Sequence, residues 1–153
     1  MKRLSAGLLL FRRVGRALEV LLVKPGGPYW RNRDAGAWQI PKGGVEDGEE
    51  PLAAAFREVE EELGLRLDGE PLPLGRLRQT GGKLVEAFAL EASFDPAALV
   101  SNLFELEWPP RSGTMQTFPE VEQARWFGLS EAGEMMLPSQ LPLLGRLAET
   151  LGW

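Results

Sequence analysis

Four glutamates and one arginine crowd into six consecutive positions, Arg57-Glu58-Val59-Glu60-Glu61-Glu62. On a helix, Glu58, Glu61 and Glu62 stand at i, i+3 and i+4 and share one face, with neighbouring Cβ atoms roughly 5–6 Å apart. Glu60 points elsewhere. Three carboxylates on one face repel one another unless a cation sits among them. They also form a ready oxygen cage for a divalent ion. The alternative is an ordinary solvated helix face, which fits most glutamate clusters.

Composition narrows the chemistry that such a cluster could serve. The 153-residue chain contains no cysteine and no histidine. A thiolate nucleophile, a Cys zinc site and a Ser-His-Asp triad are therefore excluded. Any metal must be held by oxygens, which favours magnesium, manganese or calcium. Charge is also unevenly placed. Residues 1–42 carry +7, residues 43–65 carry −7, and the remainder carries −5. A cationic segment followed by an anionic one suits a site that holds both an anion and a metal, although surface charge also fluctuates along any chain.

The residues flanking the cluster sharpen this reading. The stretch GGVEDGEEPLAAAFREVEEELGL, residues 43–65, resembles the Nudix box. That pattern is Gly, five residues, Glu, seven residues, then Arg-Glu-apolar-x-Glu-Glu-x-Gly-apolar. Gly43, Glu49, Arg57, Glu58, Val59, Glu61, Glu62, Gly64 and Leu65 fill its nine positions without a gap. The resemblance implies a loop-helix-loop that binds magnesium or manganese. It also implies hydrolysis of a nucleoside diphosphate linked to another group, by water attack on phosphorus.

By the same resemblance, Glu58, Glu61 and Glu62 are expected as metal ligands, with the Lys42 carbonyl as a further one. Arg57 is expected to hold Glu49 by a charge-assisted bond. Catalytic work falls to Glu58, Glu61, Arg57 and a distal glutamate that acts as general base or extra ligand. Glu120, Glu122 and Glu86 are the candidates for the last role. Glu120 is favoured for its offset before Trp126. A solvent-facing loop acid is the alternative for Glu120 and Glu122.

Substrate clues are weaker. Pro41-Lys42-Gly43 at the box entrance looks like the branch of dinucleoside-polyphosphate and diphosphoinositol-polyphosphate hydrolases. Lys42 could reach an extra phosphate as a movable point charge. Tyr29 and Trp30 could stack on a base while Arg31 and Arg33 meet phosphates. Trp108 and Arg111 form a second such set. The expected partner is a small nucleotide, with a dinucleoside polyphosphate first and a nucleoside triphosphate or nucleotide sugar next. A non-catalytic nucleotide-binding module is the third reading. Nucleic acid is not expected, because the net charge is −5 and no long basic stripe appears. The number of metals and the oligomeric state stay open, with a homodimer one option.

The scaffold must present these groups. Residues 3–11 and 18–24 read as strands joined by a hairpin turn. A Gly- and Pro-rich loop follows, then PKGG as another turn. Residues 51–63 read as a helix, with Pro51 in its first turn and Gly64 as its stop. Leu52, Ala55, Phe56, Val59 and Leu63 should form its buried stripe. Residues 74–80, 83–91 and 123–127 read as strands, and residues 94–122 resist assignment. Ser130 should cap a short helix to Leu137, and Ser139 a last helix through Leu151 with Pro142 in its first turn. One domain spanning 1–153 is expected, of α/β (α+β) class, with a mixed sheet sandwiched between helices. GLLLF is too short to span a bilayer. Arg12 and Arg13 follow it without a cleavage site, so the expected location is cytoplasmic.

Overall fold

The computed structural model describes residues 4–153. The chain runs β1 (Leu4–Val14), β2 (Ala17–Pro25), β3 (Lys42–Gly44), α1 (Pro51–Leu63), β4 (Leu72–Arg78) and β5 (Leu84–Glu91). It continues with β6 (Leu103–Glu107), β7 (Met115–Pro119), β8 (Val121–Gly128), α2 (Leu129–Met135) and α3 (Pro142–Leu151). The main sheet has the order β4-β5-β1-β2-β8, and β3 adds to β1. The β1–β5 pair is parallel and the other pairs are antiparallel.

Strand β1 is apolar and buried from Ala6 to Phe11, because both of its faces are covered there. Ala6, Leu8 and Leu10 pack with Ala54, Ala55, Val59 and Leu63 of α1. Leu9 and Phe11 face the other way, toward Leu143 and Leu147 of α3. This is the expected helix–sheet–helix arrangement of an α+β Nudix fold. Among the described residues no helix is long and apolar enough to cross a membrane.

The sheet is split where the site forms. One side of β1 pairs with β3 near its start (Ala6↔Gly43, Gly7↔Lys42) and with β2 near its end (Phe11↔Val20). Residues 38–41 thread the gap: Leu8 N–H donates to Pro41 O at 3.2 Å, and Val23 N–H to Gln39 O at 2.8 Å. PKGG is therefore partly a strand and not the simple turn expected, because its backbone finds an open edge of β1. Trp38 and Ile40 anchor this thread in the core. The Ile40 N–H is satisfied by the buried Gln140 side chain at 2.9 Å. Gln140→Leu is expected to cost about 1–3 kcal/mol, because it strands that buried donor. Urea denaturation would measure it, and an unchanged midpoint would refute it.

Other local expectations shift. Strand β1 runs on to Val14, and Arg3 lies outside the described residues. Residues 74–80 become Leu72–Arg78, since the turn back to β5 already closes with Gln79 N–H on Lys83 O at 2.7 Å. Ser130 lies inside α2, whose N-cap is Gly128, and α2 ends at Met135. Ser139 belongs to a one-turn 3-10 segment, where its hydroxyl accepts from Gln79 Nε2 at 3.2 Å. Neither serine caps a helix: Ser130 stands inside the first turn of α2, and α3 begins after Leu141, beyond Ser139. In the unassigned region, β6 and β7 form a separate two-stranded hairpin.

Candidate active site

Helix α1 places the glutamates by its own period. Its apolar stripe goes into the core, with Ala55, Val59 and Leu63 buried and Leu52 and Phe56 partly so. That orientation turns Glu58 and Glu62 inward, toward β3. Glu58 is buried, whereas Glu60 is half exposed and faces Arg66 at 3.8 Å. Gly43 makes room for Glu58, since an added Cβ there would overlap the Glu58 carboxylate. Gly43→Ala should therefore displace Glu58 and cut activity more than stability; parallel assay and thermal melt of the variant would show it.

Arg57 organises the cluster. Its Nε and Nη2 donate to the two oxygens of Glu49 at 2.9 and 3.0 Å, a bidentate pair. This pairing holds the Glu49 carboxyl down at about 2; the Glu46 N–H adds to it. The same guanidinium reaches further than the sequence suggested. Its Nη2 donates to Gly44 O at 2.9 Å, and its Nη1 to Glu58 at 2.9 Å and Glu61 at 3.2 Å. The bond to Glu61 is an i,i+4 pair, a signal that helical spacing does contain. The loop before α1 is thus tied to the carboxylate face through one side chain.

Electrostatics show carboxylates held against their preference. Burial, then the nearby Glu58, pushes Glu62 up to about 9, while Lys42 pulls the other way. Burial and Glu61 also raise Glu58. Glu62 Oε2 is buried with no hydrogen-bond partner. Lys42, on β3, is pulled below the ordinary lysine range by burial, against the attraction of Glu62. Lys83 adds to that depression, a neighbour that sequence reasoning missed.

The structure separates the distal glutamates. Glu120 sits between β7 and β8, where its N–H donates to Asn102 O at 2.8 Å and its carbonyl accepts from Gly26 N–H at 3.0 Å. Its carboxyl is raised by burial and then by Glu61, and its charge in turn raises Glu58 and Glu62. Glu86 is instead paired with Arg76 at 2.9 Å. Glu122 is exposed on β8.

Among the described residues no three acidic side chains already converge on a common ion position. Arg57 Nη1 bonds one oxygen of Glu58 and both oxygens of Glu61. The donor set still fits a hard divalent cation, because it is all oxygen, mutually repelling and includes the unpartnered Glu62 Oε2.

The aromatic loop builds a cavity of its own. Tyr29 and Trp30 meet edge-on at 5.2 Å, and it is Arg33 that stacks over Tyr29 at 4.3 Å. They line a cavity of about 650 Å³ with Asp34, Leu137 and Pro138, and Arg31 is not part of that lining. A second cavity, about 510 Å³, is bordered by Arg57, Glu61, Val100 and Asn102 beside the carboxylates.

Known proteins resemble the chain at two scales. Over nearly the whole chain, the likeness is structural. The Ap4A hydrolase of C. elegans, solved as a binary complex, superposes with a TM-score of 0.68 at 22% identity, covering 97% of this chain and 98% of that one. The NUDIX domain of NrtR from Shewanella oneidensis, complexed with ADP ribose, gives a TM-score of 0.68 at 17% identity, covering 99% and 89%. In sequence, an RNA pyrophosphohydrolase of Francisella tularensis is 50% identical over 48 residues, which is 31% of each chain. Nudix hydrolase 25 of Arabidopsis thaliana is 63% identical over 30 residues, 20% of this chain and 17% of that one. These sequence matches span less than a third of the curated relatives. The NUDIX domain profile, by contrast, matches residues 1–147. The chain belongs to the NUDIX domain family.

Proposed function

We propose that this chain, as a single domain acting in the cytoplasm, is a divalent-metal-dependent hydrolase of a diphosphate linkage in a small nucleotide. A dinucleoside polyphosphate is the first-choice substrate. The observation that carries the reading is the carboxylate cluster of Glu58, Glu61, Glu62 and Glu120, with Glu58 buried and the others partly buried, clamped to the preceding loop by Arg57 and Glu49. Such a cluster is costly to fold around unless a cation compensates it.

Glu58, Glu61 and Glu62, with the Lys42 carbonyl, would hold magnesium or manganese. When bound, the cation supplies charge neutralisation and Lewis acidity at the diphosphate. Glu120 takes the proton of the attacking water on a carboxylate oxygen, and its raised proton affinity makes it a stronger base than a solvated glutamate. The water oxygen bonds to phosphorus and the bridging oxygen leaves with the released nucleotide. Arg57 keeps Glu58 and Glu61 in place. Lys42 offers positive charge to the phosphate chain at the β3 entrance.

The test is release of nucleotide or phosphate from a panel with magnesium or manganese: diadenosine polyphosphates, ADP-ribose, nucleoside triphosphates, nucleotide sugars and 5′-triphosphorylated RNA. Turnover of a dinucleotide above the others supports the proposal. No turnover of any, with tight binding instead, would leave a non-catalytic binding module.

A further inference from the structure

The β6–β7 hairpin has no part in the chemistry above. Its side chains alternate between two faces. The register Phe104↔Phe118 and Leu106↔Gln116 puts those four on one face. Trp108 extends it, since its N–H donates to Thr114 O at 2.9 Å, one rung beyond Glu107↔Met115. The face turns inward: Phe118 is buried, and Phe104 Cζ lies 3.1 Å from where a Cβ on Gly27 would stand. Both feet of the hairpin reach the carboxylate cluster. Glu120 follows β7 directly, and Asn102, just before β6, donates its N–H to Glu61 O at 2.9 Å.

Farther out, this face carries no formal charge. Leu106, 36% exposed, joins no core, and Gln116 is exposed. An anionic group would find no cation on this face. A neutral planar ring would find apolar and aromatic surface and a side-chain amide. The tip is also held in shape. Glu107 accepts from the N–H of Arg111 at 3.1 Å and of Gly113 at 3.2 Å, and Gln116 Nε2 donates to Trp108 O at 2.8 Å. Arg111 is kept at a φ of 61°, a left-handed conformation that a non-glycine residue holds only when its surroundings impose it. A preorganised surface loses less entropy on binding.

We propose that the Phe104–Leu106–Trp108 face of this hairpin is the subsite for the substrate's nucleobase, stacked there while the phosphates lie at the carboxylate cluster. The placement of the phosphates rests on the hydrolase reading. The proposal selects a base-bearing substrate over one whose second moiety is itself polyanionic, such as a phosphorylated inositol.

AMP and ribose 5-phosphate share the phosphate and differ in the base, so calorimetric titration of both reads the subsite. AMP should bind about five- to hundredfold tighter, the range that stacking of one base supplies. That advantage should vanish in Trp108→Ala and in Leu106→Asp, with thermal melts checking the fold. Because Leu106 is exposed, its substitution serves if the tryptophan variant fails to fold. Equal binding of the two probes, or an AMP advantage that survives substitution, overturns the subsite. Turnover on the nucleotide panel separates the two proposals. Hydrolysis with base preference unchanged in both variants sinks the subsite and leaves the hydrolase. A base advantage that the variants lose, without turnover of any substrate, sinks the hydrolase and leaves the subsite.

Discussion

Replacing Glu120 with glutamine should lower kcat by about 10²–10⁴-fold, the usual contribution of a positioned general base, with KM little changed. The side chain keeps its size, and the backbone bonds of residue 120 to Asn102 and Gly26 do not depend on the carboxylate. Fold and melting temperature should therefore survive, which separates a chemical loss from a structural one. Glu122→Gln, on an exposed position of β8, should leave both constants unchanged. The comparison decides between two acids only two residues apart. A normal rate in Glu120→Gln, together with a collapse in Glu122→Gln, would reassign the base. Glu61→Gln should also lose activity, but with a higher metal requirement, because that oxygen is assigned to the cation.

The metal-free protein should lose stability as pH rises from about 4.5 to about 9, and Glu62→Gln should abolish most of that loss. Burial holds the Glu62 carboxyl up to about 9, against an ordinary glutamate value of 4.5. Above the ordinary value the unfolded chain releases this proton while the native state keeps it. The native state is favoured below that value, and the advantage drains away as pH climbs through the native one. The full effect is on the order of a few kcal/mol. Glu58 is shifted in the same direction and adds to the slope. The low Glu49 value acts oppositely, but only in more acidic solution. Glutamine imitates the protonated acid and does not titrate, so the variant should melt higher than wild type at pH 8 in chelator. Magnesium or manganese should then raise the wild-type melting temperature and leave the variant nearly unmoved, since a ligand that binds only the native state stabilises it. Calorimetry at pH 5, 7 and 9, with and without metal, tests both halves. A flat metal-free profile would show that Glu62 is not held protonated.

Local features were legible from residues alone. The α1 boundaries, its Pro51 start and its Gly64 stop match the helix Pro51–Leu63 with a left-handed Gly64 cap. Caps and amphipathic stripes depend on neighbours within one or two turns. The Arg57–Glu49 pair, expected from the resemblance to the Nudix box, lies at hydrogen-bonding distance. The β6–β7 hairpin was not legible. Its strands are mostly exposed, so they lack the burial-driven alternation that marks a strand. The inner end of their apolar face, at Phe104, meets Gly27 rather than the main core. The course of the Tyr29–Trp30 loop was not legible for a related reason. Nothing local says which way a Gly- and Pro-rich loop turns.

By itself the sequence determined which oxygens share a helix face, because helical geometry is a matter of three- and four-residue steps. It also determined, by omitting histidine and cysteine, that a thiolate or a His-based triad is closed to the site and that any bound metal is held by oxygens. Three things were decided only by tertiary structure. Glu120 comes within electrostatic reach of Glu61 because strand pairing and the Asn102 bond carry it across the fold. Glu62 is pushed to about 9 because α1 presses it against β3 and out of water. Arg57 Nη2 reaches Gly44 O because the pairing of β3 with β1 sets that backbone beside α1. Each depends on desolvation and long-range contact, which the order of residues specifies only through the completed fold.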